Sequence, residues 1–378
     1  MSGEQREFAD SVRRFAEARL GDDAIQQRDH DGEFWTDGWR RCAELGLCGL
    51  PAPEEFGGSG ADRVVTAAVL EALGYGCRDG GLVFSLSAHL WSAVVPLWQH
   101  GNADQQARYL GKLCRGECVG LHAMTEPDSG SDALALSTVA RPDGDGFVLR
   151  GTKTFITNAP VAELFIVFGR APGTSGPKGV TAFIVERGAE GLSAGRGLDK
   201  LGLRTSPMSE LVLDDVRVGP DAVLGRQGRG ALVFGTSMAW ERTLIMAGAL
   251  GAAYRALDDA IEYAKARHQF GQPIASFQAV ADRLVNVRVR LDAARALLFE
   301  SAWRFDHNEH DGATAAATKL VASEAVVESA LQLLQVHGGS GYVRDVPIER
   351  HLRDVVGSRI YSGTSDMMRR IVARSMGL

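Results

Sequence analysis

The sequence predicts an α+β chain in three blocks, helical over 1–121, β over 122–230 and helical again over 231–378. Three observations lead there: apolar residues first recur at helical spacing, the period then drops to two, and after Gly230 it returns to helical almost to the end.

In the first block Phe8, Val12, Phe15 and Ala16 mark one helix. Trp39, Cys42, Leu45 and Leu47 mark another, stopped by Gly46, Gly49 and Pro51. Further apolar helices are expected over 64–73, 82–97 and 105–113. His89, inside Ser87-Ala88-His89-Leu90-Trp91, reads as a hydrogen-bonded core histidine in preference to a catalytic one. In the second block 147–149, 164–168, 180–185 and 211–213 are strand-like. Asp143-Gly144-Asp145-Gly146 carries hairpin-turn chemistry, and 171–178 is a loop by its Pro, Gly and Ser content. In the third block helices are expected over 231–266, 277–306, 313–336, 346–356 and 364–376. Phe270-Gly271-Gln272-Pro273 connects the first two, and Gly338-Gly339 ends the third. Neither an internal repeat nor a low-complexity tract interrupts this order.

With 41 Lys+Arg against 47 Asp+Glu the net charge is −6, and no basic block suits a nucleic-acid partner. A soluble cytoplasmic protein with no membrane span is expected, since no run of eighteen or more apolar residues occurs. The five cysteines are odd in number and lack zinc-site spacing. Cys114, Cys118 and His122 read as ordinary thiols and an imidazole, so no metal is expected.

The run 237–250 sets one carboxylate, Glu241, among Trp240, Leu244 and Ile245. Partial desolvation there pushes its pKa upward and suits it to take a carbon-bound proton near neutral pH. An ion pair with Arg242 accounts for it equally well.

Five separated stretches, in one order, resemble the acyl-CoA dehydrogenase family: 124–132 (MTEPDSGSD), 151–158 (GTKTFITN), 266–274 (ARHQFGQPI), 335–342 (QVHGGSGY) and 360–366 (IYSGTSD). The resemblance implies a helical N-terminal domain, a central β domain and a C-terminal four-helix bundle. It also implies FAD held between the β domain and the C-terminal helices of a homotetramer. By the family pattern Met124, Thr125 and Ser131 lie along the flavin and the substrate thioester, and Arg242 toward the substrate. Thr157 hydrogen-bonds near the reactive ring nitrogen, and Phe155 supplies an aromatic wall where many relatives carry Trp. Arg267, Phe270 and Gln278 resemble residues that reach FAD across a subunit boundary, as do Gln335, Gly338 and Gly339. Thr364 and Asp366 resemble the pair that follows the bound FAD.

One departure stands out. The family's commonest base is a Glu where this chain has Ser362, and a serine hydroxyl stays protonated at working pH. A minority of the family carries the base on the helix aligned with 237–250, and Glu241 falls on that position. The resemblance therefore implies Glu241 as base, with only the backbone N–H of Ser362 left to polarise the thioester carbonyl. Residues 76–89, 238–242 and 361–367 look most like the branch that oxidises L-prolyl groups on a peptidyl carrier protein to pyrrole-2-carboxyl groups in antibiotic-type secondary metabolism. An isovaleryl-type acyl-CoA dehydrogenase, a flavin monooxygenase or nitroalkane oxidase on the same fold, and a non-catalytic FAD-fold subunit are the alternatives. The residues do not separate a carrier protein from CoA.

Overall fold

The computed structural model describes residues 2–21, 24–309 and 311–378. Helices α1 Gly3–Arg19, α2 Ile25–Asp31, α3 Thr36–Glu44, α4 Arg63–Gly76, α5 Gly80–His89, α6 Val95–His100, α7 Ala103–Gln105 and α8 Gly111–Cys114 come first. The expected helix over 82–97 starts two residues earlier, where the Asp79 carboxylate accepts the Leu82 N–H and caps it, and ends three residues later at His100. A π turn at Leu90–Val94 joins α5 to α6. By length and composition Gly80–His100 passes for a membrane span, yet 83% of its most apolar window is buried inside the fold, which marks a core helix.

The sheet has strands β1 Gly120–Ala123, β2 Val139–Asp143, β3 Gly146–Thr157, β4 Leu164–Arg170, β5 Val180–Glu186, β6 Leu192–Ala194, β7 Met208–Val218 and β8 Val223–Leu224. Their order is β6-β7-β3-β2-β4-β5-β8, with β1 parallel to β4. The β2–β3 hairpin closes at Asp143 opposite Gly146, and Gly144 takes φ 63° in the two-residue turn. Strand β3 runs far beyond the expected 147–149 and carries the whole 151–157 stretch, with a register shift between Lys153 and Ile156.

The last block holds α9 Gly230–Leu244, α10 Met246–Ala266, α11 Gln278–Asp306, α12 Gly312–His337, α13 Ile348–Val356 and α14 Ser365–Ser375. The single helix expected over 231–266 is interrupted at Ile245, whose backbone remains right-handed (φ −58°, ψ −25°), so the axis nearly continues. Helix α10 lies tightly on α4: a Cβ on Gly74 would sit 2.0 Å from the Gly248 carbonyl oxygen, and one on Gly251 1.9 Å from that of Glu71. Glycine permits that approach, which ties the N-terminal helices to the bundle. Gly338, at φ 57°, ends α12 as expected.

Candidate active site

Helix α9 is locked by the residue preceding Glu241. Trp240 is 2% exposed, stacks on Trp91 with centroids 5.8 Å apart, and carries the Arg63 guanidinium 3.9 Å above its ring. Burying an aromatic of this size stabilises by about 2–3 kcal/mol, enough to hold the rotation of the helix. One turn earlier the Ser237 hydroxyl donates to the Trp91 carbonyl at 2.6 Å.

Glu241 then faces the turn between α13 and α14. The Ser362 hydroxyl donates to Glu241 Oε1, while Oε2 is sealed from solvent and has no partner. Burial raises the Glu241 pKa above the usual carboxylate range, against the Ser362 hydrogen bond and the nearby charges of Arg242 and Lys319. No ion pair joins Glu241 to Arg242 among the described residues; Arg242 Nε instead donates to the Ser362 carbonyl at 3.3 Å.

The turn itself is built with care. The Gly357 carbonyl accepts from the N–H groups of Ile360 and Tyr361, at 2.9 and 3.1 Å. Ser362 and Gly363 take φ 59° and 95°. Buried Lys319 donates to the carbonyls of Ser358 at 2.6 Å and Gly363 at 2.7 Å, closing the turn from below. The Ser362 N–H has no acceptor among the described residues and remains free for a ligand. Thr364 caps α14, its hydroxyl accepting the Met367 N–H at 3.2 Å, and exposed Asp366 pairs with Arg369 at 3.1 Å. Beside this turn a pocket of about 100 Å³ runs between α5, α10 and α13, lined by Phe84, Ser87, Ile245, Gly248, Ala249 and Tyr361. At its far end burial raises the Asp354 carboxyl to about 7, against the Leu203 N–H that it accepts at 2.6 Å.

On the sheet, Met124 is buried just past β1, and the Thr125 carbonyl accepts the Thr154 N–H at 2.9 Å. Phe155 stands 63% exposed on a left-handed backbone of φ 57°, and half-buried Thr157 pairs with Met208. Ser131 lies exposed in the loop between β1 and β2. Asn158 Nδ2 donates to the Ser85 carbonyl at 3.0 Å and fixes the end of β3 to α5.

The remaining sequence-predicted residues gather elsewhere. Arg267 and Phe270 follow α10, Gln278 starts α11, and Gln335, Gly338 and Gly339 sit at the end of α12; all six are exposed. The ends of α10 and α12 meet through Tyr263, which stacks on His337 at 4.6 Å and donates to its carbonyl at 3.3 Å.

Two supports escaped the sequence reading. Buried Glu126 accepts from Lys153 Nζ at 2.7 Å, from the Ser137 and Thr138 N–H groups and from the Ser137 hydroxyl, which pins the loop after Met124. Burial pushes the Glu126 carboxyl up, but Lys153 and these hydrogen bonds win and hold it at about 2. Burial lowers Lys153 to about 8 against the same partner. Lys319 was the other, and its signal was one lysine inside the apolar run 315–322. His89 is a core residue: its Nδ1 accepts the Gly120 N–H at 3.0 Å, so Nε2 carries the proton and donates to the Leu113 carbonyl at 3.2 Å. The described residues hold no His/Cys/Asp/Glu group suited to a metal ion.

Three family models match in sequence: the acyl-CoA dehydrogenase N-terminal domain over 2–117, the middle domain over 122–216 and the C-terminal domain over 228–377. The chain is 38% identical over 378 residues to an L-prolyl-[peptidyl-carrier protein] dehydrogenase of Serratia sp., covering 100% of this chain and 98% of that one. Among solved structures it is similar to the prolyl acyl carrier protein oxidase AnaB, at TM-score 0.97 and 39% identity over 100% of both chains. It is equally similar to PigA with FAD and proline, at TM-score 0.97 and 37% identity over 100% of this chain and 98% of that one. From end to end, then, the chain belongs to the acyl-CoA dehydrogenase family.

Proposed function

We propose that this chain is an FAD-dependent dehydrogenase of thioester-bound aminoacyl groups, converting the L-prolyl group on a peptidyl carrier protein to a pyrrole-2-carboxyl group in the cytoplasm, as a homotetramer. The observation that carries the chemistry is Glu241, one carboxylate oxygen held by Ser362 and the other buried without a partner. The similarity to the Serratia enzyme, AnaB and PigA supports the substrate.

The residues present fit a flavin. Exposed Phe155 offers a bare aromatic wall beside Thr157, and the unpaired Ser362 N–H and Glu241 Oε2 await partners from a ligand. Met124, Thr125, Ser131, Phe155, Thr157, Thr364 and Asp366 would hold FAD from one chain. Arg267, Phe270, Gln278, Gln335, Gly338 and Gly339 of a neighbouring copy would complete the site. When bound, FAD supplies the two-electron acceptor for the hydride leaving Cβ.

The Ser362 N–H donates to the thioester carbonyl and acidifies the prolyl Cα–H. Glu241 Oε2 takes that proton, its raised pKa making it a competent base near neutral pH. Ser131 and Arg242 border the substrate. Two rounds of oxidation, each passing two electrons to FAD and each followed by reoxidation of the flavin by an external electron acceptor, give the aromatic ring. Prolyl-loaded carrier protein mixed anaerobically with the holoenzyme should bleach the flavin, and with an external electron acceptor present the acyl mass should fall by four hydrogens; bleaching by isovaleryl-CoA alone would move the assignment to the branched-chain acyl-CoA enzymes.

A further inference from the structure

The family motif leaves Ser362 with a backbone role only, and its side chain as the trace of a lost carboxylate. The contacts around it say more. Ser362 and Glu241 are separated by 121 residues in sequence, yet the hydroxyl meets Oε1 directly, and Glu241 Oε2 is left as the single unpartnered oxygen. A carboxylate so held cannot rotate freely, and Oε2 is the oxygen left wholly open to a proton from a substrate.

We propose that Ser362 is a positioning residue: its hydroxyl, presented by the turn that Lys319 closes, fixes Glu241 with Oε2 as the proton acceptor. This rests on Glu241 being the base, but not on the identity of the acyl group. The placement depends on the unusual backbone of the turn. At φ 59° Ser362 occupies a region that glycine adopts without strain, so a serine kept only for the turn would be better replaced by glycine. A hydrogen bond donated to the ionised form lowers a carboxylate pKa, and here it opposes the rise that burial causes. The other groups facing the carboxyl are Arg242 on its own helix, Lys319 from α12, and Tyr361 from the turn, whose phenol is itself pushed up by burial and by Glu241. All three stay in place when only the hydroxyl is removed.

The test is an infrared pH titration of the Glu241 carboxyl in the holoenzyme, with the Glu241→Gln spectrum subtracted, for the unmodified chain, Ser362→Ala and Ser362→Gly. Losing a hydrogen bond to a charged group should raise the midpoint by about one pH unit in both variants. The acid limb of the flavin-bleaching rate should move upward with it. Ser362→Gly should melt no lower than the unmodified chain, because it relieves the left-handed backbone. An unchanged midpoint in both variants would overturn the proposal. If prolyl-loaded carrier fails to bleach the flavin, the substrate assignment falls while the infrared midpoints still decide the role of Ser362.

Discussion

Glu241 and Ser362 lie where one chain closes around itself, while Phe270 and Tyr342 stand at the surface with 93% and 86% of their area exposed. Both regions belong to the proposed flavin environment. In the first, tertiary contacts within the chain fix each group: Trp240 locks the helix, Lys319 closes the turn, and two polar atoms remain for a ligand. In the second, helix ends offer aromatic and glycine surface that nothing among the described residues covers. Large bare aromatics are expensive to leave in water, and the proposed homotetramer would cover them with a second copy. Under the proposed function, the contrast is between a proton-transfer half complete in one chain and an FAD-retaining half that a neighbouring copy would finish.

Damage to the supports of the inner region should have the largest effect on stability. Lys153→Met strands the buried Glu126 carboxylate, which should cost about 3–5 kcal/mol by denaturant unfolding. A loss below about 1 kcal/mol would mean the pair does not pin the loop after Met124.

The outer region should respond differently. Phe270→Asp should weaken subunit association and FAD retention by about tenfold or more, measured by sedimentation and by flavin release on dilution. The Glu241 infrared midpoint should stay where it is. A moved midpoint with intact assembly would erase the distinction between the two regions.

The smallest effect separates them by pH. Because burial raises the Glu241 pKa, the folded chain favours the neutral carboxyl, and the stability that protonation contributes is present at low pH and lost as pH rises through the folded value. Glu241→Gln should remove that loss, so the variant should melt up to about 2 °C higher at pH 8 and no higher at pH 4. In the unmodified chain, bleaching should rise about tenfold per pH unit below the midpoint and level off above it.

Much of this was legible in the residues. Helical and alternating periods placed the three blocks, Gly144 the hairpin and Gly338 the end of α12. Strand β1 was missed because four residues, Gly120–Ala123, are too short to show a period, and their partner β4 lies forty-four positions on. Helix α2 was missed for the same reason of length. The π turns leave no signature in apolar spacing. Lys319 and Glu126 were visible as charges inside apolar stretches, but their partners are tertiary. The Ser362 side chain was read as a deletion because its meaning lies in a contact across the fold, which one chain of letters does not display.

The most direct test exchanges the two sides of that contact. Single-turnover bleaching by prolyl-loaded carrier should fall at least 10³-fold in Glu241→Gln, because the base is gone. The double variant Glu241→Gln with Ser362→Glu should recover part of the rate, since the two backbone positions deliver their side chains to one point. Bleaching by Glu241→Gln at the unmodified rate would contradict the account.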